Sequence, residues 1–132
     1  MRTYLFCLLA VVVAGCTSTT GTAVLSGPAP AADAITLTWT SRVIQFSREA
    51  GRKLVFDCPR GGRAERITGT DVYGETSSVC TAAVHAGLIT LNNGGRIVVE
   101  VLPGRESFSG SSRNGITSLS YGRMTNSFAF VR

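Results

Sequence analysis

The residues best equipped for chemistry lie in one short segment, where Ser78, Cys80 and the lone histidine, His85, place a hydroxyl, a thiol and an imidazole close together. If the segment is helical, Cys80 and His85 stand about 140° apart around the axis and point in different directions. A thiol–imidazole pair is therefore not expected. Ser78 and His85 could share a face, but serine hydrolysis also needs an orienting acid and an oxyanion site. No nucleophile elbow supplies them. One histidine excludes a histidine-rich metal site, and the cysteines have other uses, so zinc has no ligand set. Gly61-Gly62 and Gly94-Gly95 lack Walker or dinucleotide spacing and read as turns. Asn92 to Gly95 lacks the carboxylates of a calcium loop. The acidic residues are scattered, with no sequence-close pair for glycosidase chemistry, although residues distant in sequence can meet in space. No catalytic residue, metal or cofactor is predicted. His85 reads as a buried histidine that donates to a backbone carbonyl and accepts from a neighbour. The alternative for it is a ligand-binding or pH-sensitive role.

The basic residues are more clustered. The chain carries 13 Lys and Arg against 8 Asp and Glu, a formal charge of +5. Arg48, Arg52, Lys53, Arg60, Arg63 and Arg66 fall in one stretch, opposed by Glu49, Asp57 and Glu65. Such a cluster is a candidate contact for anionic lipid or acidic glycan. The plainer reading is a solvated face with local ion pairs. Ser107 to Ser112, with Arg113-Asn114-Gly115, forms a polar stretch suited to a ligand or to an ordinary loop.

Processing divides the cysteines. Met1-Arg2-Thr3 precedes an uncharged run from Tyr4 to Ala14, a secretory leader pattern. The run is short of the roughly 20 residues a membrane span needs. Val13-Ala14-Gly15-Cys16 then resembles the bacterial lipobox. That resemblance implies cleavage after residue 15 and acylation of Cys16, with Thr17 favouring an outer-membrane lipoprotein that faces the periplasm or the cell surface. An envelope location argues against nucleic acid as a partner. Residues 1–15 are thus expected as signal peptide, and 16–34 as a lipid-anchored tether rich in Ser, Thr, Ala, Gly and Pro. Cys7 leaves with the leader and Cys16 carries lipid. Cys58 and Cys80 remain, and an oxidising compartment makes a disulfide between them the default.

Residues 35–132 are long enough for one small domain. Ile35 to Thr40 alternates as a half-buried strand does, and Val43 to Phe46 extends or follows it. Lys53 to Asp57 reads as a strand, stopped by Cys58-Pro59, and a short strand is expected from Ile67 to Val72. Ile97 to Leu102 is the strongest strand signal, bounded by Pro103-Gly104. Ile116 to Tyr121 and Ser127 to Val131 complete the set, with Asn114-Gly115 as a hairpin turn. Ser77 to Gly87 breaks the β pattern. Its alanines favour helix; Ser77 or Ser78 can cap the start, and Gly87 the end. The segment is small or apolar almost all round, so a buried helix is expected. The predicted class is α+β: one central helix enclosed by short antiparallel strands.

The run Tyr73-Gly74-Glu75-Thr76-Ser77-Ser78-Val79-Cys80-Thr81-Ala82-Ala83-Val84-His85-Ala86-Gly87-Leu88-Ile89 resembles the signature of the LCCL domain family. The likeness extends through Gly69 to Tyr73, Gly94-Gly95, Pro103-Gly104, Asn114-Gly115-Ile116 and Ser127-Phe128. The resemblance identifies the chain as a member of that family and, together with the lipobox resemblance, leads to the expectation of a single-domain bacterial lipoprotein. It implies a non-enzymatic binding or structural module, and lipid or lipopolysaccharide ligands are suggested for some members. The animal pattern has two disulfides, and only Cys58 and Cys80 stand here. Tyr73, Ser77, Ala82, Ala83, His85, Gly87 and Ile89 carry over as fold determinants, with His85 tying helix to strand. The competing functions are a hydrolase on envelope glycan or lipid, and an accessory subunit of an envelope complex.

Overall fold

A computed structural model describes residues 33–132; the leader, Cys16 and nearly all of the expected tether lie outside the described residues. The strands are β1 (Ile35–Thr36), β2 (Lys53–Cys58), β3 (Gly69–Thr70), β4 (Val72–Gly74), β5 (Gly95–Arg105), β6 (Ser112–Arg113), β7 (Ile116–Thr117) and β8 (Met124–Phe130). The helix α1 spans Val79–His85, and a 3-10 helix spans Val43–Glu49. Six strands form one sheet in the order β1-β2-β5-β8-β4-β3, while β6 and β7 make a separate ribbon. Every pair is antiparallel except β1 with β2. The α+β class holds, with this one parallel pair as a departure from all-antiparallel pairing. The chain between β1 and β2 includes the 3-10 helix, which gives it the length a parallel return needs.

Alternation sets the core face. On β5, Ile97, Val99 and Val101 are buried while Arg96 is exposed. Phe56 of β2 lies opposite Ile97, Phe128 of β8 opposite Val101, and Tyr73 of β4 opposite Phe128. The rings of Tyr73 and Phe128 sit 5.6 Å apart. All seven residues of α1 are buried. Loops cover the rest of the helix: Val79 N–H donates to Ser41 O, Ser78 N–H to Arg66 O, and Asn114 Nδ2 to His85 O at 2.9 Å.

The caps explain the helix limits. Ser78 Oγ accepts from the Thr81 amide, one of the orphan donors of the first turn. At the other end Gly87 takes φ +78°, with Gly87 N–H on Val84 O and Leu88 N–H on Ala83 O. That is a Schellman ending, and its left-handed position suits glycine.

Several boundaries differ from the strand pattern. β1 stops at Thr36 because hydroxyls intervene: Thr38 N–H donates to Ser41 Oγ, and Ser41 N–H to Thr38 O. Such local bonds compete with a ladder. Val43 to Phe46 forms the 3-10 helix rather than a strand. The expected strand at Ile67 to Val72 is two strands, because Asp71 reverses the chain at φ +62°. β5 runs through Pro103-Gly104 to Arg105. β2 ends opposite Glu100, so Pro103 lies where β5 has a strand partner on one side only, a place that tolerates a missing N–H. Asn114-Gly115 does form a turn, with both φ values positive, between β6 and β7. Among the described residues no helix is long and apolar enough to cross a membrane.

Candidate functional site

His85 ends α1 and is fully buried. Its Nε2 lies 3.2 Å from Ser111 O, which can only accept, so Nε2 carries the proton. Nδ1 is then the acceptor for the Tyr73 hydroxyl at 2.9 Å. The chain Tyr73–His85–Ser111 thus joins β4, α1 and the loop before β6. Tyr73 has no exposed surface, and burial pushes its phenol up to about 12. Both imidazole nitrogens are engaged and no open face reaches solvent, so this histidine is not placed to take a proton from a substrate.

The other signature residues surround it. Ser77 Oγ accepts from the Thr68 amide at 2.9 Å and fixes the strand-to-helix turn. Ala82 and Ala83 are fully buried on the helix. Ile89 packs its Cγ2 against the backbone at Gly95. Cys58 of β2 is joined to Cys80 of α1 by a disulfide. Cys80 therefore has no thiol for catalysis. Among the described residues no group of three or more His, Cys, Asp or Glu comes together.

The six basic residues close in sequence do not form one patch. All are exposed, but Lys53 and Cys58 end β2, about 17 Å apart along an extended strand. Arg48, Arg52 and Lys53 lie at one end, where Gly51 N–H and Arg52 O bond Val101. Arg52 pairs there with Glu49. Arg60 and Arg63 flank Gly61-Gly62 at the other end, bonded to Leu91 and Asn92. A Cβ at Gly62 would fall inside the Trp39 ring, which fixes that loop on the core.

Arg66 alone of the six lines a cleft of about 440 Å³. There it meets two arginines that sequence clustering did not flag, Arg42 and Arg123. Glu75, Tyr121, Met124 and the threonines Thr68, Thr76 and Thr125 make up the rest of the lining. The positions of Arg42 and Arg66 are built in: Arg42 bridges Ser78 in the manner of a strand pair, and Arg66 O accepts from Ser78 N–H. Both arginines are thereby held on the cap of α1. Among the described residues neither forms an ion pair, and Arg123 makes only an exposed one with Glu106 at 3.5 Å. Glu75 is 9% exposed and accepts from Asn126 Nδ2 at 2.7 Å. Tyr121, by contrast, is 54% exposed. The hollow thus offers three cationic forks, one fixed carboxylate and one open aromatic face. No local sequence signal marks Arg42 or Arg123, since long-range pairing brings them together.

The profile of the LCCL domain matches residues 34–128. Human vitrin is 42% identical over 78 residues, which cover 58% of this chain and 11% of that protein. Human cochlin is 38% identical over 112 residues, 82% of this chain and 20% of its own. The human cysteine-rich secretory protein LCCL domain-containing 2 is 41% identical over 64 residues, 48% of this chain and 13% of its own. The chain spans about a tenth to a fifth of the length of these relatives.

Proposed function

The chain belongs to the LCCL domain family, and from that premise we propose that it is a non-enzymatic envelope module that binds anionic ligands through the cleft at Arg42, Arg66 and Arg123. The cleft carries the reading. Guanidinium groups free to pair, as those of Arg42 and Arg66 are among the described residues, with Arg123 held only by an exposed contact to Glu106, recognise phosphate, sulfate or carboxylate in forked geometry. The buried, doubly bonded His85 and the oxidised Cys80 deprive the hydrolase reading of the imidazole base and the thiol nucleophile that the helix segment offered. A disulfide also suits an extracellular or envelope compartment.

In this reading the lipobox resemblance at Cys16 supplies a lipid anchor in a bacterial outer membrane. The tether then holds the domain off the bilayer, with lipid, glycan or an envelope protein as the anionic partner. Two experiments test it. Metabolic palmitate labelling is expected to vanish in Cys16→Ser; label that persists would refute lipidation there. Binding to dextran sulfate at low salt should weaken on reversing Arg42, Arg66 and Arg123 to Glu, and much less on reversing Arg48, Arg52 and Lys53. An equal loss from both sets would return the site to diffuse surface charge.

A further inference from the structure

A further hollow neighbours the cleft. A second hollow of about 200 Å³ shares Arg123, Met124 and Thr125 with it and adds Arg105 and Glu106. The shared residues lie at the start of β8, and the two hollows are taken together as a groove with arginines at intervals rather than at a single point. A simple anion subsite would not include a carboxylate in its lining, because like charge repels the ligand. Yet Glu75 is held there by Asn126 Nδ2, and its backbone N–H and C=O are tied to Asn126 and Ile44. A fixed carboxylate beside arginines suits a ligand that presents both hydroxyl donors and an acidic group. Tyr121 adds an exposed ring for the apolar face of a ligand ring. A groove of this size is within the range of small-ligand sites.

We infer that the groove binds an acidic saccharide, a short run of sugar rings bearing carboxylate, sulfate or phosphate. The arginines hold the acidic groups, Glu75 accepts from a ring hydroxyl, and Tyr121 stacks on a pyranose face. The second hollow, at Arg105, takes the next ring. This inference rests on the anionic-binding reading above and names the ligand class for the same site.

The test is titration calorimetry on the processed full-length chain in detergent. The probes are trigalacturonate, a sulfated disaccharide, a neutral trisaccharide, sodium sulfate, and vesicles containing phosphatidylglycerol. The acidic saccharides should bind, and the neutral one should not. Arg42→Ala with Arg66→Ala should weaken them about 10-fold or more. Tyr121→Ala, at an exposed site, should weaken them about fivefold and leave sulfate unchanged. Glu75→Gln should weaken the saccharides but strengthen inorganic sulfate, since it removes a like charge. Vesicle or sulfate binding without saccharide binding would overturn this inference while leaving the anionic reading in place. Failure of every probe would overturn both. Unchanged saccharide affinity in Tyr121→Ala would also overturn the stacking geometry.

Discussion

Replacing Tyr73 by Phe removes one oxygen from the core and tests whether the Tyr73–His85–Ser111 chain holds helix to sheet. The ring keeps its packing against Phe128 and Phe130. What is lost is the donor to His85 Nδ1, a fully buried acceptor. Leaving such a group unsatisfied costs about 1–3 kcal/mol. For a domain of this size that lowers the urea midpoint by about 1 M or more. Alkaline pH supplies a second readout. The folded-state value of the phenol, about 12, lies above the ordinary 10.0, so its contribution is complete below pH 10 and lost as pH rises toward 12. Two units correspond to about 2–3 kcal/mol. Tyr73→Phe has no such ionisation, so its deficit against the natural chain should shrink between pH 10 and 12. Urea unfolding at pH 7 and at several alkaline values measures both effects. No loss at pH 7, or a deficit that stays constant to pH 12, would refute the reasoning.

The disulfide closes a loop with a sequence separation of 22, so replacing Cys58 and Cys80 by Ala should destabilise the chain by about 3 kcal/mol. Thermal unfolding with and without reductant checks this, and an unchanged midpoint would contradict it. Ala83→Leu adds volume to a fully buried helix face and should cost about 1–3 kcal/mol, while Ala50→Leu at an exposed position should cost little. Equal unfolding midpoints for the two would contradict the enclosed helix. Arg96 holds the carboxyl of Asp57 below its ordinary 3.8, chiefly by a forked hydrogen bond. That contribution is present above 3.8 and lost as pH falls through the depressed value, so the small deficit of Asp57→Asn at pH 7 should close only in strong acid. A deficit that closes already near pH 5 would contradict it.

The helix and its ends were legible because their causes are local. Ser78 caps, Gly87 takes the left-handed position, and the alanines between them suit a buried face. The hairpin at Asn114-Gly115 was legible for the same reason, since it is a matter of φ. β1 was overextended because Thr36, Thr38 and Thr40 alternate with apolar residues, yet Thr38, Thr40 and Ser41 spend their hydroxyls on a turn. The chain reversal at Asp71 was hidden because a lone Asp at positive φ leaves no pattern. The basic stretch illustrates the opposite problem. Its residues are neighbours in sequence, but β2 carries them to opposite ends of the sheet. Arg42 and Arg123 are distant in sequence and share a cleft through the bridge to Ser78 and the start of β8. Proximity created by strand pairing cannot be read from spacing.

The most direct test of the anionic cleft is amide chemical-shift mapping of the isotope-labelled chain during titration with a sulfated disaccharide. The amides of Arg42, Arg66, Thr76, Tyr121 and Arg123 are expected to move together and saturate at one concentration, while those of Arg48, Lys53, Arg60 and Arg63 stay still. Shifts concentrated on the second set, or none on the first, would contradict the account.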